Sequence, residues 1–257
     1  MPKSKNKLFL ITLAVFIFLF LIVVSSIPPK AKKIAKPVLK GKIAIVIDDW
    51  GYNLNNLPIA RQIKHPLTCA VLPNLKNSRL ICSELHKLGF EIILHLPMQP
   101  KENFRLEKNT IAVSMSQQDI RKIISDNLKS LLFVKGVSNH MGSMVTENQA
   151  TCAMIFKELS RRNLYFLDSF VTARSVAFGL AKNIGLKCAK RDVFLDNVND
   201  PEYIRGQIMR LKFLAAKRGV AVGIGHDRKT TLKVLSQMIP QLVKEGYRFV
   251  YLSEITQ

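Results

Sequence analysis

Acidic residues are missing from the first 42 positions, which carry nine lysines, so nine of the 21 net positive charges belong to this tail. A positive surface suits nucleic acid, anionic lipid headgroups or acidic wall polymers, and charge alone does not choose among them. Signatures for reading nucleic acid are missing too. There is no helix-turn-helix, zinc-finger or RNA-binding pattern, and no nucleic-acid partner is expected. Cysteine is scarce: Cys69, Cys82, Cys152 and Cys188 form no C-x-x-C pair, which argues against a structural zinc site or a thioredoxin-type motif. Buried free thiols are the expectation, and export would allow one or two disulfides. No internal repeat or low-complexity segment occurs beyond a lysine-rich linker.

What the chain does have is 48% hydrophobic residues over 257 positions, enough for one large α/β domain plus a short extra segment. Lys3, Lys5 and Lys7 precede Leu8–Val24, seventeen residues interrupted only by Thr12. A membrane span needs about 20 apolar residues and a signal-peptide core about 7–15, so the segment is expected either to anchor the chain or to be cleaved near Val24-Ser25-Ser26. Lysines before it favour a cytoplasmic N-terminus, while Lys30, Lys32, Lys33 and Lys36 beyond it weaken that argument. Ser25–Lys40 has three prolines and five lysines and reads as a linker. The expected organisation is a membrane anchor or signal helix over 1–27, a linker over 28–41 and a globular domain over 42–257. That domain is expected in the cell envelope, on the periplasmic or extracytoplasmic side, anchored in the cytoplasmic membrane or released.

The globular part opens on KIAIVIDDWGY, Lys42–Tyr52. Its apolar run lacks alternation, as in a strand buried on both faces, and stops at Asp48, Asp49 and a glycine. Strand carboxyl ends are where α/β folds place their chemistry. Adjacent carboxylates repel, so a pair on one rigid edge implies a metal ion, an arginine or two divided roles. The plainer reading has Asp48 capping the next helix and Asp49 solvated. Strand-like and helix-like segments then alternate, the pattern of a parallel sheet or barrel. Candidate strands are Ile43–Ile47, Thr68–Leu72, Glu91–Leu94, Gly136–Ser138, Tyr165–Leu167, Lys187–Ala189, Val220–Ile224 and Phe249–Leu252. Ser116 with Asp119 predicts a capping box for a helix through Leu132, and Asp200-Pro201 opens one reaching Lys217. Arg218-Gly219 and Glu245-Gly246 close helices before the last two strands.

Several strand ends carry polar clusters: LHLPMQP with His95 and Gln99, SNHMGS with His140, LDS with Asp168, and GIGHDR with His226 and Asp227. A single histidine beside an apolar run is more often a hydrogen-bonded core residue. A barrel, however, brings all strand carboxyl ends to one rim, which makes these residues persuasive together. His65 and His86, in a loop and in mid-helix, lack that placement. One carboxylate and two imidazoles suit zinc or another divalent first-row metal, with a second carboxylate and a third imidazole free for proton transfer.

IDDWG, GFEIILHLPMQP, NHMGS, LDS, RDVFLDN and the C-terminal GIGHDRKTTLKVLSQMIPQLVKEGYRFVYLSEI resemble the divergent polysaccharide deacetylase family, a distant branch of the NodB-homology carbohydrate esterases. The resemblance covers roughly Lys42–Ile255. It implies a distorted (β/α) barrel of about seven strands, a divalent metal with zinc as first candidate, and removal of acetyl groups from a polysaccharide. Asp48 matches the general base, Asp49 the metal-binding aspartate, His95 the first histidine of an H-x-x-x-H motif and His226 the late histidine that protonates the leaving group. Gln99 stands where the second metal histidine belongs, and His140 is the expected replacement. The parent family's arginine–proline–tyrosine motif is absent, so Arg191 or Arg174 is the candidate to orient Asp48. Asp168 and Asp227 are supporting candidates. Because of Gln99, the alternative is a catalytically silent barrel that binds an envelope glycan or a protein partner.

Overall fold

The computed structural model describes residues 39–257, together with the single positions Phe9 and Phe16. The expected anchor or signal helix and most of the linker lie outside the described residues. Among the described residues no helix is long and apolar enough to cross a membrane. Residues 38–257 make one compact unit.

Nine parallel strands form its sheet: β1 (Gly41–Trp50), β2 (Thr68–Val71), β3 (Glu91–Met98), β4 (Val134–Met141), β5 (Tyr165–Asp168), β6 (Cys188–Lys190), β7 (Val193–Phe194), β8 (Val220–His226) and β9 (Tyr247–Val250). Their order is β6-β5-β4-β3-β2-β1-β8-β7, with β9 paired to the first residues of β1 and β2 to its last ones. No ladder joins β6 to β7 among the described residues, so the curled sheet is an incompletely closed, distorted barrel. Eight helices are threaded between the strands: α1 (Leu57–Ala60), α2 (Ser78–Lys87), α3 (Gln117–Lys129), α4 (Ser143–Glu147), α5 (Gln149–Arg161), α6 (Ala177–Asn183), α7 (Pro201–Arg218) and α8 (Lys229–Lys244). The eight expected strands are all present. The ninth, β7, is two residues long and gives no readable period.

Two apolar layers explain why β1 shows no alternation. Ala44 and Val46 face the barrel interior with Ala70, Ile93, Leu167, Val222 and Ile224. Ile43, Ile45 and Ile47 face outward with Val71, Leu94 and helix residues such as Ile120, Ile208 and Leu235. Each fully buried aliphatic side chain of this kind contributes about 1.5–3 kcal/mol. The interior is tight: a Cβ on Gly136 would lie 2.4 Å from a ring carbon of Tyr165.

Local signals place the helices. Ser116 and Asp119 form the expected capping box, but α3 ends at Lys129, three residues before Leu132. Ser130, Leu131 and Leu132 turn instead, ahead of Phe133 at φ 61°. Asp200 caps α7 with Pro201 in the first turn, and Gly219 closes it at φ 81°. All four cysteines are buried free thiols.

Candidate metal centre and proton-transfer groups

Strand periodicity decides which polar residues meet. Residues two apart on a strand share a face. Asp48 continues the inward set Ala44, Val46; His95 follows Ile93; His226 follows Val222, Ile224. Ser138 and His140 follow the inward Gly136. All stand in the carboxyl-terminal halves of their strands, and Asp48 pairs directly with His226 across β1 and β8. Asp49 has the wrong parity. It joins them because its backbone is left-handed, φ 64°, at an irregularity between Ile47 and Trp50 in the β1–β2 register. A non-glycine residue held there is strained and persists only when its surroundings demand it.

Asp49, His95 and His140 each offer one ligand atom, and the three lie within 4.8 Å of one another. Asp49 Oδ1 is 3.3 Å from His95 Nε2 and 3.1 Å from His140 Nδ1. Yet this buried oxygen accepts no directed hydrogen bond from either ring. Three ligand atoms converging in this way fit a divalent cation, and one carboxylate with two imidazoles is a ligand set for zinc or a similar metal. Burial works to raise the Asp49 pKa, but His140 and His95 outweigh it and hold the carboxylate far below its usual range. His95 is oriented from behind, its Nδ1 2.8 Å from Ser138 Oγ. Burial disfavours charge on its ring, but Asp48 and Asp49 outweigh this and raise its pKa.

Asp48 is a different carboxylate. It is almost wholly buried, its Oδ1 has no partner, and Oδ2 is 3.7 Å from His95 Nε2. Burial raises its pKa, with His95 opposing only in part. It does not cap a helix; the residue preceding α1 is Asn56. His226 donates its backbone N–H to Asp196 Oδ2 at 2.8 Å, and its Nδ1 lies 2.7 Å from Asp196 Oδ1. Burial alone would lower the His226 pKa; the Asp196 carboxylate more than offsets this and raises it. Asp196, fully buried and also bonded by Thr231 Oγ1 at 2.6 Å, was missed as an individual residue in the sequence. The available signal was the aspartate ending the apolar run VFL in RDVFLDN.

The supporting candidates lie elsewhere. Gln99 Oε1 accepts from Val113 N at 3.1 Å, and its backbone carbonyl accepts from Met144 and Val145, so this residue braces the loop after β3. Asp168 follows the inward Leu167 and therefore points outward. Its oxygens accept from Phe170 N, Ser175 Oγ and Phe178 N, tying the loop after β5 to α6. No ion pair joins Arg191 to Asp48. Its guanidinium donates to the carbonyls of Ser169 and Phe170, both at 2.7 Å, and lies 3.7 Å from the ring centroid of Phe194, which runs nearly parallel to His226. Arg174 pairs with Glu147. Asp227 donates its N–H to the Asp48 carbonyl and accepts from Asn56 Nδ2 at 2.8 Å, and burial lifts its pKa to about 6.

A parallel half-barrel with one aspartate and two histidines gathered at its mouth, and a second aspartate and a third histidine beside them, defines a class of parallel α/β folds with a candidate metal site at the strand ends. Within it the chain belongs to the divergent polysaccharide deacetylase family, whose model matches residues 45–256. It is 38% identical over 209 residues to the uncharacterized protein YibQ of Escherichia coli K12, a match that spans 81% of this chain but 66%, just under two thirds, of the relative. A crystal structure of an uncharacterized Agrobacterium tumefaciens C58 protein, ATU2773, shares the fold with TM-score 0.79 at 19% identity, covering 86% of this chain and 91% of that one. A family 4 carbohydrate esterase from Streptomyces lividans, solved with acetate, aligns with TM-score 0.54 at 14% identity over 81% of this chain and 91% of its own.

Proposed function

We propose that this protein removes acetyl groups from an envelope polysaccharide by metal-dependent hydrolysis. The observation that carries the reading is the convergence of Asp49, His95 and His140 around an Asp49 oxygen left without a directed bond, with Asp48 and His226 adjacent but outside the ligand set. Asp49, His95 and His140 would hold a divalent ion, zinc first among candidates, and when bound it would supply Lewis-acid polarisation of an acyl carbonyl and acidify water. Asp48 has an unpartnered oxygen and a raised pKa, and acts as the base that takes the proton from the attacking water. His226, with Nδ1 turned to Asp196, presents Nε2 to the leaving amine or alcohol and donates its proton there. The family membership and the esterase fold support this chemistry. Measuring metal content and acetate release from an acetylated amino-sugar polymer tests it. A protein that holds no stoichiometric divalent metal, and gains none on incubation, would instead be the silent glycan- or partner-binding barrel.

The proposal includes location outside the cytoplasmic membrane, supported by Leu8–Val24 and the lysine- and proline-rich stretch after it. A reporter active only in the cytoplasm, fused after residue 257, is then silent. Strong reporter activity reverses the assignment.

A further inference from the structure

The end of the barrel opposite the metal centre carries two adjoining cavities that the chemistry above does not use. One, about 550 Å³, opens beneath β3 and β4; the other, about 340 Å³, lies beneath β4, β5 and β6. They share Lys135 and Ser253, so together they make one groove beside the C-terminal segment. That segment crosses the barrel floor: Leu252 N donates to Thr68 Oγ1, and Gln257 pairs with Cys188 on β6.

The aliphatic residues of the groove's wall stand back from solvent. Ile92, Leu164 and Leu186 in its wall are only 1%, 9% and 6% exposed, which leaves aromatic faces and polar groups to a ligand. Phe133 holds a left-handed backbone, φ 61°, rare for a bulky side chain. Its half-exposed ring stacks on His86 with centroids 3.9 Å apart and planes 12° apart. Glu91 is fixed by three donors to Oε1: the hydroxyls of Thr68 and Tyr165, both at 2.8 Å, and Ser253 N at 3.2 Å. Its Oε2 has no hydrogen-bond partner among the described residues and is not buried. Lys135 and Lys187 have no carboxylate partner among the described residues.

We propose that this groove is a second glycan-binding site, taking a sugar residue that bears a carboxylate. The assignment rests on the reading of the protein as one that acts on a polysaccharide. An exposed aromatic face packs against the C–H face of a sugar ring, a fixed carboxylate oxygen accepts from sugar hydroxyls, and an unpaired ammonium meets the acid. A lipid chain or an apolar helix offers no hydroxyl to the Glu91 carboxylate and no acid to the two ammonium groups. A polymer held at the floor also raises its own effective concentration at the mouth.

The test is isothermal titration of the full chain, in the presence of a chelator, with a hyaluronan tetrasaccharide, chitotetraose and a tetraglutamate peptide. The hyaluronan fragment should bind, with chitotetraose at least tenfold weaker and tetraglutamate weaker still. Phe133→Gly should weaken binding at least tenfold while leaving the melting midpoint unchanged or higher, because glycine suits the left-handed backbone. Lys135→Ala should weaken binding similarly and leave acetate release from a short soluble substrate unaltered. No binding of the hyaluronan fragment, or wild-type binding by both variants, overturns the assignment. Tetraglutamate binding as tightly as the sugar overturns it in favour of an acidic peptide. Floor binding in a wild-type protein that releases no acetate upholds the groove and removes the hydrolase reading, so the two fail separately.

Discussion

Asp196→Asn is the most informative single change, because it tests the proposed acid role of His226 without altering any of the three candidate metal ligands. Asp196 takes three donors: His226 Nδ1 at 2.7 Å, His226 N at 2.8 Å and Thr231 Oγ1 at 2.6 Å. Asparagine keeps one acceptor and turns the other oxygen into a donor, so at least one of these groups faces an N–H. An unsatisfied buried donor costs about 1–3 kcal/mol. At about 2–4 °C per kcal/mol for a domain of this size, the midpoint falls by roughly 2–12 °C. The carboxylate raises the His226 pKa, so it keeps the imidazolium populated to higher pH. Without it the acid form is lost at lower pH. The alkaline limb of the rate profile should therefore move to lower pH, and turnover at neutral pH should drop by about 10²–10⁴-fold, the range for a positioned acid. The stability of the pair follows the same signs. The His226 contribution is lost as pH rises through its raised folded pKa, and the Asp196 contribution as pH falls through its lowered one. The variant should show a flatter stability profile between those limits. A rate profile with an unmoved alkaline limb and undiminished turnover would refute the acid assignment.

Asp49→Asn should lose both bound metal and acetate release, whereas Asp48→Asn should keep most of the metal and lose turnover by about 10²–10⁴-fold; equal metal loss in the two would remove the division of roles. His140→Ala should empty the site while Gln99→Ala leaves occupancy intact, since the Gln99 amide oxygen is engaged by Val113 N; the reverse outcome would redraw the ligand set around Gln99. Dialysis against a chelator should abolish acetate release, and restored divalent metal should recover it. Gly136→Ala should destabilise the barrel by about 1–3 kcal/mol, because its Cβ would sit 2.4 Å from the Tyr165 ring; an unchanged melting midpoint would show that the ring moves aside freely.

Much of this arrangement could be read from periodicity, and the exceptions have physical causes. The apolar runs and capping pairs located eight strands and the major helices because each satisfies a local rule. The two-residue β7 is held by its ladder to β8 and carries no period of its own. For the site, counting by twos from the inward Ala44, Ile93 and Val222 leads to Asp48, His95 and His226, and the same count from Phe194 leads to Asp196. Counting from Leu167 turns Asp168 outward, which is why a carboxylate that follows a strand like the others serves a loop instead. Arg191 could not be placed this way. It lies in the break between β6 and β7, where hydrogen bonds to carbonyls and a ring face, not a strand period, fix its direction.

Asp49 is where periodicity fails and chemistry begins. Its neighbour Asp48 follows the strand rule and is carried into the barrel, where burial makes its charged form costly. Had β1 stayed regular, Asp49 would face the helices, far from His95 and His140. A single residue at φ 64° brings it to the mouth instead, and such a backbone costs on the order of 1–3 kcal/mol. At Asp49 Oδ1 neither imidazole aims a hydrogen directly at the oxygen, although their nitrogens lie 3.3 and 3.1 Å away. The compensation has to come from charge: two imidazoles already hold the carboxylate ionised, and a cation among the three donors would do so more strongly. In the proposed reading, the strain at Asp49 and the missing bond at its oxygen are one feature, a carboxylate placed to serve a cation, beside a second carboxylate that burial keeps ready to take a proton.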